Sequence, residues 1–363
     1  MASPMKLLVV IPSMKSGGAE RVVSLLCHEW ARNHEVILAL FDARAPAYEI
    51  NARVVDLRAA STLGIMRKLI NPILRTKRLA RLISREQPDR IFSFMESANF
   101  PAVLAALLCG CERNLIVSVR NDPRAFPWFH RWLMPFFYRT AHRVVAVSRG
   151  VADRLHYMGI ARRNLSVIQN PVDRNMLQRR AVEPIPAGVI GKQEFILGVG
   201  RLDHQKGFDR LIEAFAQLHS SSKLKLVILG EGPERPSLER QVSALGLESH
   251  VSLLGAVENP FQFYRRAHCF VLSSRYEGCP NVLLEAMALE CPVIAFNCDY
   301  GPSEIIIDGS NGLLVDEGDV AGLASAISRL NEDVSLRNRM SASGLITINT
   351  LFATKVANSW LDV

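Results

Sequence analysis

Short apolar segments recur along the 363-residue chain, and amphipathic segments of helical periodicity separate most of them. Continuous apolar runs are typical of buried parallel strands, and strands that alternate with helices form doubly wound parallel sheets. The predicted strands cover residues 6–12, 35–40, 53–57, 90–94, 115–119, 143–147, 195–199, 224–229, 250–254, 269–274, 292–296 and 311–315. The pattern therefore predicts an α/β protein that is long enough for two domains with separate cores.

The first half of the chain is strongly basic. Residues 1–170 contain 25 Lys and Arg against 12 Asp and Glu, whereas residues 171–363 contain 18 against 23. The two halves thus have net charges of +13 and −5. This imbalance favours a polyanion or an anionic membrane as a partner of the first half.

The cysteines and the apolar segments indicate a cytoplasmic protein. There are seven cysteines, an odd number, and no Cys-x-x-Cys, so neither a disulfide framework nor a zinc site is predicted. No apolar run reaches the length that spans a bilayer. The first predicted strand begins close to the N-terminus, so we expect no signal peptide.

Two glutamates follow the predicted strand at residues 269–274. Pro280 fits the first turn of a helix, so Glu277 lies in the loop at the carboxyl end of the strand. Glu285 then lies about one and a half turns into the helix, on its polar side. Ligands of doubly wound sheets bind at such strand ends. The two glutamates alone are equally compatible with an ordinary helix end.

The start of this helix has free backbone N–H groups and the positive end of the helix dipole, which suit a phosphate. Gly278, Asn281 and Val282 are the candidate residues there. One carboxylate on a sugar, free amides at a phosphate and a second carboxylate on another sugar would together bind a nucleotide sugar.

A second motif strengthens this interpretation. Arg201 and Lys206 follow the predicted strand at residues 195–199, and the glycines at 200 and 207 enclose them. Basic side chains at a strand end can bind a diphosphate through charge-assisted hydrogen bonds. Taken alone, Arg201 and Lys206 are also compatible with ordinary solvated surface charge. The glutamate pair downstream makes that interpretation less favoured.

Gly-Arg-x4-Lys followed by Glu-x7-Glu, each after a parallel strand, resembles the retaining glycosyltransferases of family 4. The resemblance covers essentially the whole chain. It implies the GT-B fold, in which two Rossmann-like, doubly wound parallel-sheet domains face each other across a cleft. We expect Glu277, Arg201 and Lys206 to be catalytic, with Glu277 on the hydroxyls of the donor sugar. Glu285 would accept hydrogen bonds from the ribose.

The resemblance also implies further contacts. The glycine turn Gly17-Gly18 would face the donor diphosphate, and the turn with Gly230 and Gly232 would lie near the nucleotide base. Taken alone, each of these turns is equally compatible with an ordinary strand-to-helix turn.

Four residues at strand ends are candidates for the acceptor side: Glu96, Arg120, Asn121 and Asp122. Many family members have a histidine where this chain has Arg120-Asn121-Asp122, so no histidine role is transferred. Helix capping is an equally good explanation of Glu96 and Asp122.

The predicted domains are an acceptor-binding domain at 1–170, a linker at 171–193 and a donor-binding domain at 194–348. Pro184, Pro186, Gly188 and Gly191 mark the linker. The resemblance implies that a C-terminal helix within 349–363 returns to the first domain.

A basic helix and an aromatic segment in the first half predict contact with an anionic membrane surface. The helix would begin at Asn71-Pro72, and its basic residues are Arg75, Lys77, Arg78, Arg81 and Arg85. The aromatic segment covers residues 126–139. A solvated helix with aromatic residues in the core is the alternative. No nucleic-acid motif accompanies the charge.

The predicted function is transfer of a sugar, of the hexosyl type, from a UDP-sugar to a glycan acceptor. The acceptor would be lipid-linked, at the inner face of the cytoplasmic membrane, in O-antigen or other bacterial surface polysaccharide assembly. There is no Asp-x-Asp, so metal-independent catalysis without a cofactor is predicted. The alternatives are a sugar-nucleotide epimerase of the same fold and a non-catalytic sugar-nucleotide-binding protein. A dehydrogenase is disfavoured because Ser16-Gly17-Gly18 lacks Gly-x-Gly-x-x-Gly spacing.

Overall fold

The computed structural model describes residues 3–15, 17–59, 65–185, 190, 193–219 and 224–363. The chain divides into two compact units. Unit 1 contains Met1–Pro171 and Ala353–Val363, and unit 2 contains Val172–Phe352. Ser16 and part of the predicted linker, residues 186–189 and 191–192, lie outside the described residues.

Unit 1 is built on a seven-stranded parallel sheet with strand order β3-β2-β1-β4-β5-β6-β7. The strands are β1 (Lys6–Ser13), β2 (Glu35–Asp42), β3 (Arg53–Asp56), β4 (Arg90–Phe94), β5 (Leu115–Val119), β6 (Arg143–Ala146) and β7 (Leu165–Val167). Its helices are α1 (Gly18–Trp30), α2 (Ile65–Glu86), α3 (Glu96–Cys109), α4 (Trp128–Tyr138), α5 (Arg149–Tyr157) and, after unit 2, α14 (Ala353–Leu361). Residues 165–167 were not predicted as a strand.

The core of unit 1 explains why its strands are continuously apolar. Helices cover both faces of a doubly wound sheet, so side chains of both faces are buried. Trp30 of α1 stacks on Phe92 of β4 at 4.7 Å between ring centroids. Trp360 of α14 is fully buried against Phe92 and Phe94. The last helix of the chain is therefore an integral part of this core.

Unit 2 is built on a six-stranded parallel sheet with strand order β10-β9-β8-β11-β12-β13. The strands are β8 (Phe195–Val199), β9 (Lys225–Leu229), β10 (Val251–Gly255), β11 (Cys269–Leu272), β12 (Val293–Asn297) and β13 (Leu313–Asp316). The helices are α6 (Arg174–Ala181), α7 (Phe208–His219), α8 (Arg235–Ala244), α9 (Phe261–Arg266), α10 (Asn281–Ala288), α11 (Pro302–Ile305), α12 (Val320–Glu332) and α13 (Val334–Ile348).

Two predictions about local structure were wrong. The helix expected to begin at Asn71-Pro72 begins at Ile65, and Pro72 lies inside it. Residues 174–181, predicted as linker and loop, form α6. The Asp173 side chain caps the first turn of this helix by accepting a hydrogen bond from the Met176 N–H at 3.0 Å. Among the described helices, none is both long enough and apolar enough to cross a membrane.

Candidate active site

The strand order of unit 2 identifies where a ligand would bind. From β8 the chain continues to β9 on one side, whereas β11 continues to β12 on the other side. Loops that leave neighbouring strands in opposite directions open a crevice at the carboxyl ends of those strands. The loop after β8 contains Arg201 and Lys206, and the loop after β11 contains Glu277 and leads into α10, which carries Glu285.

Lys206 and Glu277 meet at this point. The Lys206 ammonium donates a hydrogen bond to Glu277 Oε1 at 2.6 Å, and the Ser274 hydroxyl donates to the same oxygen at 2.7 Å. The two charged side chains are largely buried, with 19% of Lys206 and 7% of Glu277 exposed. A buried carboxylate needs such partners, because burial removes its hydration. The structure therefore brings together one basic and one acidic residue of the two predicted motifs.

A short 3₁₀-helix, His204–Lys206, positions Lys206. The Asp203 side chain caps it by accepting a hydrogen bond from the Lys206 N–H at 3.3 Å. Gly207 ends it with a φ of +62°, in the left-handed region that favours glycine. A Cβ atom at Gly207 would lie 2.2 Å from the Ser273 carbonyl oxygen, so the two loops touch here through their backbones.

Further hydrogen bonds hold the two loops together. Arg275 forms a bidentate ion pair with Asp209 at 2.6 and 2.9 Å, and its Nη1 also donates to the His204 carbonyl at 2.8 Å. The hydrogen bond with Asp209 raises the pKa of Arg275. The Gln205 side chain donates to the Tyr276 carbonyl at 3.0 Å, and the Arg275 N–H donates to the Gln205 carbonyl at 2.8 Å. Sequence reasoning missed this set, because partners about 70 residues apart leave no local pattern.

Arg201 does not join the Lys206–Glu277 pair. Its Nε donates to Asp203 Oδ2 at 2.5 Å, and 71% of its side chain is exposed. Most of the Arg201 side chain is thus exposed to solvent beyond the carboxyl end of β8.

The glycine turns after β8 and β9 are in direct contact. A Cβ atom at Gly230 would lie 1.8 Å from the Gly200 carbonyl oxygen, and one at Gly232 would lie 2.2 Å from the Leu202 carbonyl oxygen. The Leu202 N–H also donates to the Glu231 carbonyl at 2.9 Å. Glycine is required at 230 and 232 because the neighbouring backbone occupies the place of a side chain.

The helix that carries Glu285 begins where it was predicted. α10 starts at Asn281 with Pro280 as its N-cap, and Asn281 and Val282 are half-buried. Gly278, in the loop before the helix, is buried. The prediction that Glu285 lies on a polar side of the helix was wrong, since Glu285 is 6% exposed and the residues from Leu283 to Ala288 are buried on all sides.

Cys298 lies near the pair but cannot act as a thiolate at neutral pH. Burial, and to a lesser degree the negative charge of Glu277, raises the pKa of the Cys298 thiol to about 12. The thiol therefore stays protonated and serves as a small apolar side chain.

In unit 1 the corresponding crevice lies between β1 and β4, because the chain continues from β1 to β2 and from β4 to β5 in opposite directions. Gly17 and Gly18 follow β1. The Tyr48 hydroxyl donates to the Gly17 carbonyl at 3.0 Å and accepts from its N–H at 3.3 Å. A Cβ atom at Gly17 would lie 2.2 Å from the Glu20 carboxylate, a flexible group that can move.

Glu96 follows β4 at the start of α3, after Met95 with its unusual φ of +73°. Glu96 does not cap the helix, and its Oε1 is shielded from solvent without a hydrogen-bond partner among the described residues. Burial, the dominant cause, raises the pKa of Glu96 to about 7. The Glu96 charge in turn adds to the effect of burial in raising the pKa of Tyr138, so the two groups lie close together.

The residues after β5 have mainly structural contacts. Asp122 is 4% exposed and accepts hydrogen bonds from Arg124 N–H and Nε at 2.9 and 2.8 Å, which is the capping arrangement. Arg120 donates to Asn170, a contact that sequence reasoning missed, and to the Ser118 hydroxyl at 3.3 Å. Asn121 is exposed.

Within the described part of the chain, no group of three or more His, Cys, Asp or Glu side chains is arranged to hold a metal ion.

Two family models match the chain. The model of Glycosyltransferase Family 4 matches residues 16–175, and the model of Glycosyl transferases group 1 matches residues 183–345. Among solved structures, HepE of Anabaena in complex with UDP-glucose has a TM-score of 0.84 at 21% identity, over 99% of this chain and 98% of that chain. Fold and family models together define a glycosyltransferase with the GT-B fold.

The alignments with two curated relatives cover more than nine tenths of the chain. The lipopolysaccharide core biosynthesis glycosyltransferase LpsE of Rhizobium meliloti is 33% identical over 96% of both chains. A Campylobacter jejuni enzyme is 30% identical over 92% of both chains; its name is N-acetylgalactosamine-N,N'-diacetylbacillosaminyl-diphospho-undecaprenol 4-alpha-N-acetylgalactosaminyltransferase. The chain belongs to the family 4 and group 1 glycosyltransferases, which confirms the predicted family and its pair of Rossmann-like domains.

We expect Gly207→Ala to destabilise unit 2 strongly, because the new Cβ atom would collide with the Ser273 carbonyl. Gly246→Ala is a matched control, since Gly246 has nearly the same φ, +66°, with nothing within 4 Å of a Cβ atom. The control should cost about 1 kcal/mol for left-handed backbone, and Gly207→Ala about 2 kcal/mol more for overpacking. Urea unfolding followed by circular dichroism measures both. Equal losses would contradict the collision.

We expect Glu96 to make unit 1 less stable as the pH rises. Its folded-state pKa of about 7 exceeds the ordinary value of 4.5, so the folded state binds more protons between these values. Stability then falls with rising pH across this window. Glu96→Gln should remove that dependence and be more stable than the wild type by about 3 kcal/mol at pH 8, with little difference at pH 4.5.

Thermal unfolding as a function of pH measures this effect, and Glu49→Gln, at an exposed position of unit 1, controls for the loss of one carboxylate. A Glu96→Gln variant that follows the wild-type pH profile would show that the carboxyl titrates normally.

Proposed function

We propose that this protein is a retaining, metal-independent glycosyltransferase that moves a sugar from a UDP-sugar to a glycan acceptor. The observation that carries the proposal is the Lys206–Glu277 ion pair at the switch point of the second sheet, with the open Arg201 guanidinium on the same loop as Lys206. A cation and a carboxylate in one crevice match the two parts of a nucleotide sugar: the diphosphate and the hydroxyls of the transferred sugar.

The roles of the residues follow from their chemistry. Lys206 and Arg201 would stabilise the negative charge that develops on the departing diphosphate, which is usually the largest contribution in such a site. Glu277 would accept hydrogen bonds from sugar hydroxyls, and Glu285 from the ribose. The amides of Asn281 and Val282 at the start of α10, and that of Gly278 in the loop before it, would contact phosphate, as helix N-termini do.

The glycine turns and unit 1 complete the proposal. Gly230 and Gly232 let the loop after β9 pack against the backbone of the loop after β8, and we assign this turn to the surroundings of the nucleotide base. We assign Gly17 and Gly18 to a phosphate contact, and Glu96, Arg120, Asn121 and Asp122 to the acceptor side. For Asp122 and Arg120 this role would be to hold the loop after β5 through the contacts described above.

We further propose that the acceptor is linked to a lipid, in bacterial surface polysaccharide or O-antigen assembly. The names of the relatives support this, since one contains a diphospho-undecaprenol and another refers to the lipopolysaccharide core. UDP as the nucleotide is supported by the HepE complex with UDP-glucose. The seven cysteines are all free thiols, which fits a cytoplasmic enzyme at the inner face of an anionic membrane.

The test is to incubate the protein with a panel of UDP-sugars, with and without undecaprenyl-diphosphate-linked glycans, and to measure UDP release and product. We expect transfer only with acceptor, at a rate that excess EDTA leaves unchanged. Epimerised donor without acceptor would indicate an epimerase, and binding without turnover would indicate a non-catalytic protein. Loss of activity in EDTA, restored by a divalent cation, would contradict metal independence.

We expect Glu277→Gln to lower the rate by roughly 10²-fold or more, as for the loss of one preorganised hydrogen-bonding group. The neutral amide still fills the space but no longer balances Lys206 or accepts hydrogen bonds as a carboxylate does. Glu213→Gln, at an exposed position of α7 in the same unit, is the matched control and should retain full activity. Near-normal turnover of the Glu277 variant would remove this residue from the site.

A further inference from the structure

One face of α4 exposes large aromatic side chains. Trp128, Trp132 and Phe136 are 74%, 76% and 60% exposed, and they are spaced four residues apart, so they form a continuous stripe. The opposite face of the helix is anchored by Met134 and Tyr138, which are fully buried. The stripe is therefore held rigidly, and exposed apolar surface of this size marks an interaction site.

The stripe forms one wall of an open groove of about 680 Å³ between α4 and the end of α5. Its lining residues are Trp128, Arg131, Trp132, Pro135, Phe136, Arg139, Arg154, Met158 and Gly159. The charged side chains among them are all arginines. Arg139 lies over the Phe136 ring at 4.6 Å from its centroid, which places a cation beside the apolar stripe.

The positive charge around this groove favours an anionic partner. No Asp or Glu is among the lining residues of the groove, and residues 123–152 contain five arginines, of which Arg124 is paired with Asp122. Tryptophan together with arginine is the composition of protein surfaces that lie at the headgroup level of a bilayer. A protein partner with an acidic groove-filling segment would satisfy the charge but would not need three rigid aromatic side chains directed outward in a row.

The basic helix α2 fits the predicted contact with an anionic membrane less well than its sequence suggests. Arg75 donates to the Ala59 carbonyl at 3.0 Å and lies over the Phe41 ring. Arg78 donates to the Leu57 carbonyl at 2.5 Å. These two guanidinium groups serve the internal structure of unit 1, whereas Lys77 and Arg81 are exposed.

We infer that the α4 groove is a docking surface for an anionic lipid bilayer. The indoles of Trp128 and Trp132 enter the interface between headgroups and acyl chains, and Arg131, Arg139 and Arg154 bind lipid phosphate groups. The inference deepens the proposed function, because it rests on the lipid-linked acceptor and names the surface that brings the enzyme to it.

The four tryptophans of the chain provide a direct test. Trp30 and Trp360 are 2% and 0% exposed, so only Trp128 and Trp132 can respond to a membrane from the protein surface. We expect vesicles of phosphatidylglycerol and phosphatidylcholine to shift the emission to the blue, and brominated acyl chains to quench it. The response should be lost in the Trp128→Phe/Trp132→Phe variant. Absence of quenching in the wild type would overturn the inference.

Cosedimentation with the same vesicles measures affinity. Trp128→Ala/Trp132→Ala should weaken binding at least tenfold, and so should Arg131→Gln/Arg139→Gln at low salt. Val334→Ala/Ile346→Ala removes two exposed apolar side chains of unit 2 and should bind as the wild type does. Equal binding of wild type and groove variants, or equal binding to pure phosphatidylcholine, would overturn the inference.

Donor binding and light scattering separate the remaining outcomes. In the absence of vesicles, UDP-sugars should raise the melting temperature of the groove variants as much as that of the wild type. Variants that keep this shift but no longer bind vesicles identify the docking surface. If the wild type binds vesicles but no UDP-sugar, the docking surface stands and the proposed function fails. A third outcome is that, as the protein concentration rises, iodide no longer quenches the two exposed indoles and light scattering shows a doubled molecular mass. In that case the groove binds a second copy of the chain and the inference fails.

Discussion

The ion pair between Lys206 and Glu277 is the interaction on which the candidate site depends. Each side chain comes from a different loop, and each lies largely away from solvent, where a lone charge would be costly. The pair can form only if the loops after β8 and β11 lie at a fixed distance. Backbone contact at Gly207 and the Arg275–Asp209 pair fix that distance. The position of Lys206 relative to Glu277 is thus set by contacts between the two loops themselves.

Much of the fold could be predicted because parallel strands covered on both sides are continuously apolar. The stretches around β1, β5 and β11 show this without interruption, and their order with the intervening helices is enough to predict two doubly wound sheets. Helix starts were harder. Pro72 fits a first turn, but α2 begins before it, since the packed face of a long amphipathic helix outweighs one proline. The three-residue strand β7 offers too short a pattern to be recognised.

The candidate site was predictable in part for the same reason. Residues that follow parallel strands share one edge of the sheet, so Lys206 and Glu277 could be expected to meet. The burial of Glu285 could not be foreseen, because periodicity distinguishes faces of a helix only when one face reaches solvent, and α10 is buried on all sides from Leu283 to Ala288. The contacts of Arg275 depend on tertiary structure and have no counterpart in the local sequence.

The interlocking of the two loops has a consequence for any redesign of the proposed donor site. The Gln205 and Arg275 side chains each donate to a main-chain carbonyl of the other loop, so these hydrogen bonds depend on the donor side chain and on the backbone course of the partner loop. A chimera that imports only one loop from a relative would meet a partner of a different course. Residues 200–207 and 273–277 therefore form one structural unit, and a loop exchange at this site requires both segments at once.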